Sequence, residues 1–249
     1  MKKLIAFDLD DTLNVAKTPL TPKMVDLFAR LLDHYMVCVI SGQKYEEFER
    51  QILVPLGAQP IERLSRLHFM VAQGTQYYKY ENDSWKLQYS YPLESSKIEA
   101  IDKALEAAAR ELGLWAENPS GEINENRLSQ VTFSALGQTA SSEDKYAWDP
   151  DRKKREMIVA RAKQLAPEFE YEIGGTTSIN VFIPGMNKTF GMTKLMELLD
   201  LTKNDILYFG DMVQPGGNDY PVVQMGIDTI AVEKWQDTAF AIEGIVSVQ

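Results

Sequence analysis

Asp8, Asp10 and Asp11 set three carboxylates within four positions, directly behind the apolar run of "KKLIAFDL". Like charges repel, and a carboxylate taken out of water is costly, so such crowding calls for a positive partner. Asp211, far along the chain in "YFGDM", follows a second apolar run. Asp8, Asp10 and Asp211 together offer hard oxygen ligands, and Mg²⁺ suits a few carboxylates completed by waters and substrate oxygens. Lys188 supplies a fixed positive charge. Ser41, with Gly42 behind it, supplies a hydroxyl and backbone N–H groups that can donate to phosphoryl oxygens. Phosphoryl transfer needs little beyond a positioned nucleophile and neutralisation of those oxygens.

The elements that must hold these residues follow from the hydrophobic pattern. "KKLIAFDL" and "YMVCVIS" read as buried strands, short and apolar with turn-prone residues behind them. Between them, Thr21 is an N-cap and Pro22 a first helical residue, ahead of the stripe Met24, Leu27, Phe28, Leu31 and Leu32. "QKYEEFERQIL" opens a second helix. Strand, helix, strand, helix in this order predicts a parallel sheet with helices on both faces. The pattern then changes. "QYYKYENDSWKLQYSY" predicts a hairpin turning at Asn82-Asp83. Helices over 94–112 and 149–165 and the strands "RLSQVTFSAL", "FEYEI" and "SINVFI" suggest an α+β lobe inserted over 86–186. From 187 the first pattern returns with a helix over 188–199, the strand "DILYFGD", a Gly- and Pro-rich loop, "DTIAV" and a last helix. The expected core is therefore discontinuous, made of 1–85 and 187–249. In open parallel α/β sheets ligands bind beyond the carboxyl ends of the strands, and that is where "DLDDT", "SGQ" and "GDMVQPGGND" lie.

Composition narrows the partners. The chain has 249 residues, 45% of them apolar and 25% charged, as in an ordinary globular protein. A net charge of −10 argues against nucleic acid and against an anionic membrane surface, while a small anion held by local cations fits. No apolar stretch approaches spanning length, and the apolar part of "MKKLIAFDLD" is too short for a signal peptide and broken by Asp8, so a cytoplasmic location is expected. The single cysteine, Cys38, excludes a disulfide framework and reads as a small core residue. "DRKKRE" reads as the polar face of a helix.

"DLDDTL", "VISGQ", "NKTFGM" and "FGDMVQPGGNDY" resemble, in order, the four signatures of the haloacid dehalogenase (HAD) phosphotransferase superfamily. The resemblance implies a Rossmann-like α/β core with a parallel sheet, and it makes the insert a C2-type α+β cap. "NRLSQVTFSALGQ" and "IGGTTSINVFIPGMNK" are further similar to eukaryotic-type phosphomannomutases and their bacterial relatives. By this likeness Asp8 is the nucleophile that forms an aspartyl-phosphate, and Asp10 the general acid and base, with its backbone carbonyl on Mg²⁺. Thr12 and Ser41 hold the loop and the phosphoryl group. Lys188 spans nucleophile and phosphate, and Asp211 ligates the metal with Asn218 and Asp219 behind it. Asp11 stands where Gly is frequent and is expected to be structural, since Asp tolerates turn conformations.

In phosphomannomutases, cap arginines grip the distal phosphate of the sugar. The likeness puts them at Arg127, Gln138 and Lys145, with a further expected arginine at Lys17 and sugar contacts at Ser178 and Asn180. One arginine is retained, one is an amide and two are lysines, and a carboxylate would be usual where Asn180 stands. A mutase must retain a bisphosphorylated intermediate, and losing two charge-assisted contacts would weaken that grip by about 3–6 kcal/mol. The expectation is thus a Mg²⁺-dependent phosphatase acting on a small phosphorylated metabolite such as a sugar phosphate. A hexose-phosphate mutase is the first alternative, and a non-catalytic phosphate-binding protein the second. A homodimer through the cap is an expectation of the resemblance alone.

Overall fold

The structure is a computed structural model and describes residues 2–248. It contains two compact units. The core unit gathers residues up to Ser90, Asn187–Pro215, and Asp219 onward; the insert holds Tyr91–Met186 with Gly216–Asn218. Numbered along the chain, the strands are β1 (Leu4–Phe7), β2 (Met36–Ile40), β3 (Leu67–Val71), β4 (Gln76–Glu81) and β5 (Ser84–Ser90). Then come β6 (Asn124–Asn126), β7 (Gln130–Ser134), β8 (Glu170–Ile173), β9 (Ser178–Phe182), β10 (Ile206–Gly210) and β11 (Asp228–Ala231). The expected junction at 85/86 falls inside β5, which pairs with β4 and stays in the core sheet.

The core sheet runs β11-β10-β1-β2-β3-β4-β5. Its pairs are parallel from β11 through β3, and the β4–β5 hairpin closes one edge antiparallel. Asn82 and Asp83 turn that hairpin with φ of 49° and 59°, a two-residue turn that only a few residue types tolerate. The apolar strands alternate their side chains between two layers. Ile5, Phe7, Val37 and Val39 pack with Phe28, Leu31 and Leu32 of the Pro22–His34 helix. Leu4, Ala6 and Cys38 face Met192 and Leu195 of the Lys188–Leu199 helix. Thr21 Oγ1 accepts from Met24 N at 3.3 Å and Pro22 opens its helix, as the sequence indicates. Cys38 is fully buried and burial pushes its thiol up, so it is an inert core residue.

The insert carries the antiparallel sheet β6-β7-β9-β8. Val131, Phe133, Ile179 and Val181 form its apolar face with Ile101, Leu105 and Ala108 of the Ser95–Glu111 helix and Ile158 of the Lys153–Leu165 helix. The opposite face is polar: Thr132 stands across from Asn180, and Ser134 across from Ser178. The helix expected from 149 begins at Lys153, because Arg152 is left-handed with φ of 65°. Asp149 instead caps it from outside, accepting from Lys154 N and Arg155 N and pairing with Arg155 Nε at 2.8 Å.

Candidate active site

Adjacent parallel strands bring the two ends of the chain together. Phe7 of β1 stands beside Phe209 of β10, so Asp8 and Asp211 leave the sheet at neighbouring positions. Asp8, Asp211 and Asp219 each offer a carboxylate oxygen, and these oxygens lie within 4.8 Å of one another. Lys188 enters from the first turn of its helix, whose N-cap is Asn187: Asn187 Oδ1 accepts from Thr189 N at 2.9 Å. Its Nζ is fully buried, 2.5 Å from Asp8 Oδ1 and 2.6 Å from Asp219 Oδ1.

The charges do not balance. Burial pushes the Asp8 carboxyl well above the usual range; Lys188 opposes this, while Asp219 and Asp211 add repulsion. Asp211 is pushed up to about 7, by burial first and then by the Asp219 charge. Burial works against the Lys188 ammonium, but Asp219 and Asp8 outweigh it and hold it charged. Three carboxylates around one ammonium form a donor set of hard oxygens with excess negative charge, which fits a divalent cation such as Mg²⁺. Asp8, Asp211 and Asp219 are the residues that would hold it. Asp219 is engaged differently. Its Oδ1 accepts from Lys188 Nζ and, at 2.5 Å, from the Tyr208 hydroxyl, and its Oδ2 accepts from Met212 N at 3.0 Å. It therefore anchors Lys188 and, through Met212 N, the turn that carries Asp211.

Asp10 points elsewhere. Its Oδ1 accepts from Lys17 N at 2.8 Å and its Oδ2 from Gln43 Nε2 at 2.5 Å. Asp11 is left-handed with φ of 60° and its Oδ1 accepts from Ala16 N, the structural part expected of it. Thr12 is fully buried, and its hydroxyl has no protein partner. Ser41 and Gly42 follow β2 directly, and Ser41 Oγ accepts from Gln43 N at 3.3 Å. Lys17 is left-handed with φ of 57° and reaches Asp10 through its backbone. Asp8, Lys188, Asp211 and Asp219 thus form one cluster, while Asp10, Lys17, Ser41 and Gln43 meet on the loops that follow the neighbouring strands β1 and β2. Asn218 falls in the insert's compact unit.

The insert residues form a polar group of their own. Lys145 Nζ donates to the Gln138 carbonyl at 2.8 Å, and Gln138 Nε2 donates to the Thr132 carbonyl at 3.2 Å. Asn180 Oδ1 accepts from Thr132 Oγ1 at 2.9 Å and from Gln130 Nε2 at 3.3 Å. The buried Arg127 pairs through Nε with the half-buried Glu125 at 2.8 Å, which already offsets the one retained arginine. Ser178 sits at the start of β9 on the same face as Asn180.

Sequence reasoning missed Tyr208, Gln43, Gln51, Gln130 and Thr132. Tyr208 lies in an apolar strand and gives no signal beyond core. The alternation of Gln130 and Thr132 with Val131 and Phe133 does mark a polar face, and only the role of that face goes unread.

Comparison with known proteins places this geometry. The family model "Eukaryotic phosphomannomutase" matches residues 24–248. A probable phosphomannomutase of Caenorhabditis elegans is 25% identical over 89% of this chain and 86% of its own. Phosphomannomutase 2 of Dictyostelium discoideum is 27% identical over 87% and 84%. Among solved structures, a truncated IMP-nucleotidase of Plasmodium falciparum aligns with a TM-score of 0.73 at 18% identity, covering 100% of this chain and 71% of that one. A haloacid dehalogenase-like hydrolase of Bacteroides thetaiotaomicron gives 0.63 at 15% identity over 98% and 100%. The structural likenesses carry the fold, a HAD-like core with an inserted lobe, and the match over nearly the whole chain carries the family: this chain belongs to the eukaryotic phosphomannomutase family.

Proposed function

We propose that the protein is a Mg²⁺-dependent phosphotransferase of the mutase type, acting on a hexose phosphate through an aspartyl-phosphate at Asp8. The observation that carries the reading is Lys188 Nζ, fully buried between Asp8 and Asp219 at 2.5 and 2.6 Å beside the Asp211 carboxylate. A charge arrangement that costly is retained where phosphoryl oxygens are to be neutralised. The bound metal would supply further neutralisation of those oxygens.

In the first half-reaction an Asp8 oxygen forms a bond to phosphorus and the bond from phosphorus to the sugar oxygen breaks. Asp10 gives that oxygen its proton. Lys188 holds the incoming phosphoryl group against Asp8, and the Ser41 loop and Thr12 donate to its oxygens. In the second half-reaction an acceptor hydroxyl gives its proton to Asp10 and attacks phosphorus, and Asp8 is released as a carboxylate. When the acceptor is a hydroxyl of a hexose monophosphate, a bisphosphate forms that can return its other phosphoryl group to Asp8, and the reaction is a mutase. When it is water, it is hydrolysis.

The family match over residues 24–248 favours the mutase outcome. Hydrolysis is the second reading, and the insert favours it: Lys145 and Gln138 stand where a stronger grip on a second phosphate needs arginines, and Arg127 is already paired with Glu125. One experiment separates them. Hexose 1- and 6-phosphates are incubated with the protein, Mg²⁺ and a trace of hexose bisphosphate, and ³¹P spectra follow isomer exchange and inorganic phosphate together. Isomerisation outpacing phosphate release supports the mutase; release alone transfers the assignment to a phosphatase. An Asp8→Asn protein as active as the parent in both would end either reading.

A further inference from the structure

We propose that Gln43 is a positioning residue that fixes the Asp10 carboxylate for proton transfer, an inference that rests on the acid–base role given to Asp10 above. Three buried amides run head to tail into that carboxylate. Asn14 Nδ2 donates to Gln51 Oε1 at 2.8 Å. Gln51 Nε2 donates to Gln43 Oε1 at 3.2 Å, and Gln43 Nε2 donates to Asp10 Oδ2 at 2.5 Å. Asn14 and Gln51 are fully buried, and Gln43 is 3% exposed.

The direction of the series is set at both ends. Asn14 Nδ2 also donates to the Thr18 carbonyl, so its amide nitrogen must face this side. A carboxylate only accepts, so Gln43 must present its nitrogen to Asp10. Turning the Gln43 amide over would set its oxygen against the carboxylate and its nitrogen against the Gln51 nitrogen. Hydrogen bonds in such a series polarise one another in the same sense.

The helix that carries Gln51 is built for the purpose. Tyr45–Phe48 and Val54–Leu56 are α-helical, but Glu49–Leu53 between them is a π turn, a form found mostly as single turns inside α-helices and frequently at functional sites. The Gln51 carbonyl accepts from Leu20 N at 2.9 Å. Arg50, beside it, donates to the Lys17 carbonyl at 3.0 Å. Lys17 is the residue whose N–H holds the other oxygen of Asp10. One irregular turn therefore secures both donors that grip the carboxylate: Gln43 through Gln51, and Lys17 N through Arg50.

The test separates the two half-reactions with acetyl phosphate and Mg²⁺. Acetate leaves acetyl phosphate without needing a proton, so labelling of Asp8 does not require Asp10. Hydrolysis of the label does, because the attacking water must give up a proton. Gln43→Met keeps side-chain length and removes the donor. Its labelling rate is expected within about two-fold of the parent, while phosphate release from the labelled protein slows about 10- to 100-fold. Gln51→Met, which leaves Gln43 in place but unoriented, slows the same step by a smaller factor. It also serves if Gln43→Met fails to fold. Asp10→Asn is the reference for the underlying reading. If Asp10→Asn is slow and both amide variants release phosphate at the parental rate, the positioning role is overturned and the role of Asp10 stands. Equal loss in labelling and release also overturns it, since that is what a merely structural residue gives. If Asp10→Asn itself releases phosphate at the parental rate, the acid–base reading falls and takes the inference with it.

Discussion

Asp211→Asn is expected to make the metal-free protein more stable, although it removes a proposed metal ligand. The Asp211 carboxyl is pushed from 3.8 up to about 7, by burial and then by the Asp219 charge. A carboxyl raised on folding contributes stability that is fully present below its unfolded value and is lost as pH rises through its folded value. At about 1.36 kcal/mol per unit, the shift costs up to about 4 kcal/mol at pH 8, where Asp211 is ionised, and about 2 kcal/mol at pH 5, where it takes up a proton on folding, part of it shared with Asp8 and Asp219. An asparagine carries no charge and escapes this cost at both pH values. The assay is urea unfolding in EDTA of parent and variant at the two pH values. His68 titrates in the opposite sense: burial pulls its imidazole down to about 4, so its contribution is lost as pH falls from 6.5. It is the same in both proteins and cancels in their difference. The variant should exceed the parent by more at pH 8 than at pH 5. Mg²⁺ at about 100 times its dissociation constant should then add about 2.7 kcal/mol to the parent, and much less to the variant. A variant no more stable than the parent at pH 8, or a gain equal at both pH values, would refute the reasoning from burial and charge.

Lys188→Met leaves Asp8 and Asp219 buried without their ammonium. A loss of about 3–5 kcal/mol is expected, seen as a melting point lower by about 6–20 °C in EDTA, together with loss of Asp8 labelling by acetyl phosphate. Gly191→Ala is expected to cost about 1–3 kcal/mol in urea unfolding. Its Cβ would stand 2.7 Å from the Gln73 carbonyl oxygen and 2.8 Å from Gly74 Cα, so the turn at 72–74 must shift against the helix that carries Lys188.

Asp8, Asp211 and Lys188 are legible in the sequence because each follows a strong local signal. The carboxylates end apolar runs, and parallel register then brings the ends of neighbouring strands together whatever their separation along the chain. The Asn82-Asp83 turn is legible for a similar reason, since few residue pairs accept two left-handed positions. Other parts are hidden for physical reasons. Strand β3 has His68 in the middle of a short apolar run, where its ring nitrogen meets the Tyr77 hydroxyl at 2.8 Å, a contact no local pattern announces. Gln43 and Gln51 look like surface amides of a charged helix, and the π turn rotates Gln51 away from where a regular helix would aim it. Tyr208 has the pattern of a core aromatic, and its hydroxyl acquires meaning only once Asp219 returns beside it. The types of Gln138, Lys145 and Asn180 point to hydrolysis, whereas the family match favours transfer to sugar. Side-chain type at three positions does not sum the binding energy of a whole substrate.

The insert ends at Met186, and Asn187, the next residue, is the cap of the helix that begins with Lys188. The insert and the core are thus separate in their packing, yet at this junction a single peptide bond joins them. Grafting a different lobe between Ser90 and Asn187 exchanges one self-contained core for another, but its last residue becomes the neighbour of the cap. A chimera that ends correctly in sequence and wrongly in backbone direction would fold in both parts and still turn Lys188 away from Asp8 and Asp219.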